Sequence, residues 1–406
     1  MKINPLLKNI THRLVWVGLL ASAGVSFAAD ADQAVTKSTA LPPKVPGKER
    51  TAKIQLTEVT AIAAKKGWLQ EEYAKVNAKV EMVNSSVLGV PGAEASLLDR
   101  GDLHITSRMA YPALQHRANG LDAVVIWQSV NAHPRRVAIQ VLADSNIQTV
   151  ADLKDKKLGS SLVGCPYYGS REAIIKAGHD LDTDLAKGDI RFVNISGAAS
   201  ISAFLAGKID STGSHPGTSS TAPLYVQKQV REIATAVPGG AYTNAGGRTM
   251  FFAMRKWSIE NPDLVKAFLL AWDRTVRWIN SDNGAHWDEA AQIASRELRE
   301  PKAVALYDLK DVSRISWSWG QVDYADAVDS VKKFQEWAIS VRDPFFTKKH
   351  LTDKQIEAFI DKRFFAGGDY FVDTSERAKT AANQGAATPA IDTRAGAQLA
   401  QATSGQ

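Results

Sequence analysis

The 406-residue chain has one cysteine, Cys165, and only five methionines. Beyond residue 27 it also lacks any apolar run approaching the roughly 20 residues that a membrane-spanning helix needs. A lone thiol excludes a disulfide within the chain, even in a compartment that would allow one. There is no Gly-x-Ser-x-Gly nucleophile elbow and no His-Glu-x-x-His zinc helix. The histidines at 104, 116, 133, 179, 215, 286 and 350 form no pair at the helical spacing of metal ligands. These absences argue against a hydrolase or a zinc enzyme, and the expectation is no catalytic residue, no metal and no cofactor. No internal repeat is visible. The formal charge is +6, of which Lys2, Lys8 and Arg13 supply +3, leaving +3 for the remainder. That balance gives no reason to expect a nucleic-acid partner.

The first residues read as an address. A basic start is followed by the apolar run Leu14 to Phe27, and Ser26-Phe27-Ala28 offers small residues where a signal peptidase reads. The expectation is a cleaved secretory signal over 1–28. Leu162-Val163-Gly164-Cys165 has the letters of a lipoprotein box but lies far from the signal, so a free periplasmic protein is expected and not a lipoprotein. Residues 29–50, with Pro42, Pro43 and Pro46, read as a flexible leader. From 374 to 406 the chain is mostly Ala, Gly, Thr and Gln, which bury too little to offset their ordering entropy, and it reads as a disordered tail.

Between these ends, apolar strands alternate with amphipathic helices. A helix at about 62–74 precedes a strand at 80–83, and helices near 93–100 and 111–119 precede strands at 103–106 and 123–127. A second set runs through strands near 137–142, 158–163, 191–195 and 209–213. A strand at 249–254 then leads into long helices, one opened by Asn261-Pro262, where proline's missing N–H costs nothing. Such alternation predicts an α/β protein with parallel, doubly wound sheets. The length suits two lobes.

Several segments carry a resemblance. Ile147–Gly159 leads into a strand that ends at Gly164-Cys165-Pro166, where a helix begins. Ala64-Lys65-Lys66-Gly67-Trp68-Leu69 and Gly101-Asp102-Leu103-His104-Ile105 precede it, and Ala203-Phe204-Leu205-Ala206-Gly207-Lys208-Ile209-Asp210 and Glu260-Asn261-Pro262-Asp263-Leu264-Val265 follow. No single motif is specific, but together they resemble the nitrate/sulfonate/taurine branch of ABC-transporter substrate-binding proteins over roughly residues 50–370. The resemblance implies a two-lobed, type II Venus-flytrap fold, a doubly wound sheet in each lobe, and a monomer. Lobe one would take 51–132 and 245–373, and lobe two 133–244. It also implies capture of a small organic anion, of the sulfonate, taurine or aromatic carboxylate type, for delivery to an inner-membrane permease and ATPase. A binding protein reporting to a membrane receptor is the alternative, and a secreted enzyme a more remote one. An enzyme of this fold that makes the thiamine pyrimidine carries a cysteine cluster, which one cysteine cannot provide.

The family holds its ligand at strand–helix turns, which implies a ligand-binding set of Pro91, Gly92, Ser107, Arg108, Cys165, Pro166 and Tyr167. Helix N-termini there present unpaired N–H groups suited to an anion. Among these, Arg108 is the sharpest candidate, because a guanidinium grips a carboxylate or sulfonate with two parallel bonds. Arg248 and His215, each beside a turn, complete the set, His215 as a hydrogen-bond donor. Tyr167, Tyr168 and Trp127 are candidates for a flat apolar wall. Arg135 and Arg136 read as surface or hinge charges. Glu58, an acid in the first turn, departs from an anion site and either meets the cationic part of a zwitterion or faces solvent.

Overall fold

The computed structural model describes residues 48–374 apart from 86–92, 163, 184, 219, 282–283 and 314–319. The expected signal peptide, most of the leader, the tail from 375 onward and the Pro91-Gly92 turn therefore lie outside the described residues. Two sheets organise what is described. The first contains β1 (Arg50–Gln55), β2 (Ala78–Val83), β3 (Ile105–Met109), β4 (Ala123–Gln128) and β11 (Thr249–Met254), in the order β2-β1-β3-β11-β4. The second contains β5 (Ala138–Leu142), β6 (Lys157–Ser160), β7 (Leu181–Asp182), β8 (Ile190–Asn194), β9 (Ser211–Ser214) and β10 (Val230–Thr235), in the order β10-β5-β9-β6-β8-β7.

Neither sheet is purely parallel, which corrects the simple reading of strand–helix alternation. In the first sheet β11 runs antiparallel to both β3 and β4, and in the second β5 runs antiparallel to both β9 and β10. Each odd strand is the one that has just crossed from the other sheet. A strand delivered by a βα unit ends at the cleft between the sheets, whereas a strand entering from the cleft starts there and runs away from it. The residues just before β5 and at the start of β11 are thereby placed at the cleft.

The helices attached to the first sheet begin with α1 (Glu58–Lys65) and α2 (Trp68–Ala74), then α3 (Ala93–Asp99) and α4 (Ala110–Ala118). Sequence periodicity runs α1 and α2 together, but Gly67 at φ +79° breaks them, a left-handed conformation that glycine adopts without steric cost. The second sheet carries α5 (Cys165–Lys176), α6 (Gly197–Leu205) and α7 (Ala222–Val226). The C-terminal part adds α8 (Arg255–Glu260), α9 (Pro262–Asn280), α10 (Trp287–Leu298), α11 (Lys302–Tyr307), α12 (Tyr324–Ser340) and α13 (Asp353–Phe359). On α9, Leu264, Val265, Phe268, Leu269, Trp272, Val276 and Ile279 are all buried, a stripe at helical spacing. Each such side chain contributes about 1.5–3 kcal/mol on burial. None of the described helices is long and apolar enough to cross a membrane. Thr374, placed by sequence at the start of the tail, is buried and accepts a hydrogen bond from the Gln321 N–H (2.8 Å).

One contiguous apolar cluster joins residues of both sheets. At its centre Tyr111 of α4 packs on Tyr168 of α5, with ring centroids 3.9 Å apart, while Phe334 of α12 and Phe346 close over them. The Tyr111 hydroxyl donates to the Leu162 carbonyl (2.5 Å), and the Tyr168 hydroxyl donates to Asp343 (2.6 Å). The second sheet's first helix is therefore seated against the C-terminal helices on one side. Close packing extends to the turn before β8, where a Cβ added at Gly188 would meet the Asp180 carbonyl. Gly188→Ala should destabilise the fold by about 2–3 kcal/mol, because backbone rather than a movable side chain must yield. A urea titration checks this, and a loss below about 0.5 kcal/mol would contradict it.

Candidate functional site

A cavity of about 200 Å³ is lined by residues attached to both sheets. From the first sheet and its helices come Thr57, Glu58, Val59, Ser107, Met109, Thr249, Phe251, Trp272 and Asp308; from the second come Arg136, His215, Gly217 and Thr218. Register explains the choice within β3 and β11. Thr249 pairs with Met109 and Phe251 with Ser107, and alternate residues of a strand face opposite sides. Those four share the cavity face. Met250 and its partner Arg108 share the other.

Arg108, the sharpest sequence candidate, is accordingly turned away. Its Nε meets a carboxylate oxygen of Glu94, which is 6% exposed, and His116 Nε2 lies 3.6 Å from the same oxygen. Burial pushes the Glu94 carboxyl up, but the nearby His116 ring and the Arg108 charge outweigh it and hold the group below its usual range. Ser107 lines the cavity, and its N–H donates to Gln55 Oε1 (2.9 Å). That oxygen also accepts from Thr106 Oγ1 (2.7 Å), so Gln55 at the end of β1 fixes the end of β3.

The start of α5 stands behind the cavity-lining Met109. Cys165 is buried with its sulfur 3.1 Å from that of Met109, and burial pushes its thiol up to about 11. Pro166 occupies the first turn of the same helix. Tyr167 lies in the interior, its ring edge-on to Tyr168 and Phe192 and its hydroxyl accepting from Arg171 (3.1 Å). Arg248 is buried and paired with Asp326 (3.3 Å). None of Cys165, Pro166, Tyr167, Arg108 and Arg248 lines the cavity, while Ser107 and His215 do. The apolar wall is made by Phe251 and Trp272, with Trp127 packed edge-on to Trp272 at a centroid distance of 4.9 Å.

Arg136, expected as a surface or hinge charge, lines the cavity. It ends the short 3-10 turn before β5, the position at which a crossover strand starts from the cleft. Its neighbour Arg135 is engaged by Glu232 (3.1 Å), but Arg136 Nη1 donates to Thr249 Oγ1 (2.9 Å) and forms no ion pair among the described residues. The same crossover orients His215. Its Nδ1 lies 2.7 Å from the Arg136 carbonyl, an acceptor only, so Nδ1 carries the proton. Burial pushes its pKa down to about 4, with Arg136 and Arg108 adding repulsion, so near neutral pH the ring is uncharged and Nε2 is an acceptor. The expected donor role is thus reversed.

Glu58 opens α1, capped by Thr57. Burial holds its carboxyl above the usual range, opposed by its own backbone N–H and by the Arg136 charge. Glu300, between α10 and α11, is pushed up to about 7 by burial and by the neighbouring Glu58. Because the folded value exceeds the ordinary 4.5, the stability this group gives is complete below about pH 4.5 and lost as pH rises through 7. Glu300→Gln cannot ionise. It should therefore exceed the parent by about 1 kcal/mol at pH 8, after allowance for the solvent that reaches this half-buried group, and match it near pH 4. Thermal melts at both pH values test this; a gain at pH 4 equal to that at pH 8 would contradict it.

Residues 58–283 match the family described as NMT1/THI5 like, more than half of the chain. The chain belongs to the NMT1/THI5-like family. No curated protein sequence matches it significantly. Among solved structures, this family member is similar to the alkanesulfonate-binding protein SsuA from Xanthomonas axonopodis pv. citri bound to MOPS. That pair has 16% identity and a TM-score of 0.61, covering 78% of this chain and 99% of that one. It is also similar to the periplasmic aliphatic sulphonate binding protein SsuA from Escherichia coli, with 17% identity and a TM-score of 0.54, covering 73% and 92%. A third neighbour is a mutant of the desulfurization enzyme DSZB in complex with biphenyl-2-sulfinic acid, with 14% identity and a TM-score of 0.51, covering 83% and 100%. The shared architecture is the periplasmic binding protein fold.

Proposed function

We propose that this NMT1/THI5-like chain is a solute-binding protein that captures a small organic acid in the cleft between its sheets. The observation that carries the reading is Arg136. It is a half-buried guanidinium without a carboxylate partner among the described residues, on a cavity also lined by Thr57, Ser107, Thr218 and Thr249 and by the rings of Phe251 and Trp272. Such a guanidinium, beside the Thr249 hydroxyl, suits a sulfonate or carboxylate head, and the rings suit an apolar body. Two structural neighbours named as sulfonate-binding proteins support the same reading. On it, residues 1–28 direct the chain to the periplasm without a lipid anchor. Lobes 51–132 with 245–373, and 133–244, then close on the acid as a monomer and pass it to a membrane permease driven by an ATPase.

A thermal-shift screen of the mature chain against ethanesulfonate, taurine, benzoate and nitrate, with neutral sugars as controls, tests the reading. A binder at a hundred times its dissociation constant adds about 2.7 kcal/mol of stability. Shifts with sugars and none with acids would overturn it. Loss of high-affinity uptake of the binder on gene deletion tests delivery, and unchanged uptake would remove that part. The desulfurization enzyme with this fold raises catalysis as a rival. Against it stands Cys165, the chain's one thiol, which is buried against Met109 and kept protonated, a poor nucleophile.

A further inference from the structure

Three charged side chains line the cavity, Arg136 and the acids Glu58 and Asp308, and Glu58 and Arg136 do not meet. Glu58 projects from the first turn of α1, and Arg136 sits at the crossover into β5. Both line the same space and attract each other, yet no ion pair joins them. The guanidinium's hydrogen bond goes instead to the neutral hydroxyl of Thr249. A purely anionic ligand would satisfy Arg136 and be repelled by Glu58; a purely cationic one would meet the reverse. Two further groups weight the Glu58 side of the balance. Glu300 stands close enough to Glu58 for the two to repel, and His215 presents an acceptor at Nε2 rather than a donor. For an anion alone, that is a surplus of acceptors. A molecule bearing an ammonium as well as an acid supplies donors to these acceptors and an anion to the guanidinium, so neither half-buried charge is left uncompensated.

We infer that the cleft selects a zwitterion, with its acidic group on Arg136 and the flanking hydroxyls and its ammonium on Glu58. Glu58 is then the residue that sets specificity, separating amino-substituted acids from their unsubstituted counterparts. The inference rests on the capture reading above and deepens it. The distance between the two charged groups of the ligand is set by the space between Glu58 and Arg136, and the Phe251 and Trp272 rings border its carbon segment.

Calorimetric titration of the full mature chain provides the test. The probes are taurine, β-alanine and 2-aminoethylphosphonate, each beside its partner without the amine, namely ethanesulfonate, propionate and ethylphosphonate. At least one amine-bearing probe should bind roughly tenfold or more tightly than its partner, the scale of one charge-assisted hydrogen bond. In Glu58→Gln that ratio should fall to about one, and Glu58→Asp, which keeps the charge, should restore part of it. Thermal melts of both variants establish that they are folded. Partners binding as tightly as the amines would overturn the zwitterion inference while leaving acid capture intact. A preference that survives in Glu58→Gln would remove Glu58 from the role. No binding by any of the six probes would overturn the capture reading and this inference with it.

Discussion

Replacing Arg171 with alanine is expected to cost about 3–5 kcal/mol of folding stability, the scale seen when one partner of a buried ion pair is removed. The side chain is wholly buried on α5. Its Nε and Nη2 grip Asp180 with two bonds (2.9 and 3.0 Å), Nη1 donates to the Tyr167 hydroxyl (3.1 Å), and Nη2 also donates to the Val341 carbonyl (2.5 Å) at the end of α12. One guanidinium thus ties the first helix of the second sheet to the end of α12. Truncation removes the packing, orphans the Val341 carbonyl and the Tyr167 hydroxyl, and leaves Asp180 without its fork. Asp180 is 31% exposed, so water recovers part of the loss, which places the expected value nearer 3 than 5. Lysine keeps the charge but not the planar fork, and Arg171→Lys should lose roughly half as much. Urea unfolding with tryptophan fluorescence measures both, and a loss under 1 kcal/mol for Arg171→Ala would show that the clasp does not hold α5 to α12.

The fold was legible in the sequence because its signals are local. The β11 run Thr249–Met254, the proline opening of α9 and the apolar stripe behind it depend only on periodicity and on the backbone chemistry of proline. Strand direction within a sheet is not local, so the antiparallel β5 and β11 were not legible from alternation alone. The site was half legible. Ser107 and His215 stand at strand ends and line the cavity. Arg108 does not, and the reason is available from one rule: if Ser107 and Met109 face a site, the residue between them faces away. Arg136 was hidden by a different gap. Nothing in His133-Pro134-Arg135-Arg136 distinguishes one arginine from the other until the crossover assigns one to Glu232 and the other to the cavity. Tyr167 and Tyr168 read as a ligand wall because aromatic residues after a strand suit that role equally well. The seat provided by Phe334, Trp337 and Asp343, far along the chain, makes Tyr168 interior.

These assignments set the two arginines against each other in the second large effect. Arg136→Ala should weaken binding of an acid by about 30- to 1000-fold, or 2–4 kcal/mol, because a partly desolvated anion loses its charged partner and Thr249 loses its donor. Arg136→Lys keeps a point charge without the fork and should fall between parent and alanine. Arg108→Ala should change affinity less than about threefold, since its guanidinium is spent on Glu94 on the opposite face of β3. Its cost should appear in stability instead, about 1–2 kcal/mol, because the buried Glu94 carboxylate keeps only His116. The pair of variants therefore separates site from scaffold in two measurements, titration with ethanesulfonate and taurine and urea unfolding. If Arg108→Ala lost affinity as severely as Arg136→Ala while keeping its stability, β3 would have to present its other face to the ligand. The Thr249–Met109 and Phe251–Ser107 register that places Ser107 in the cavity would then not describe the bound state.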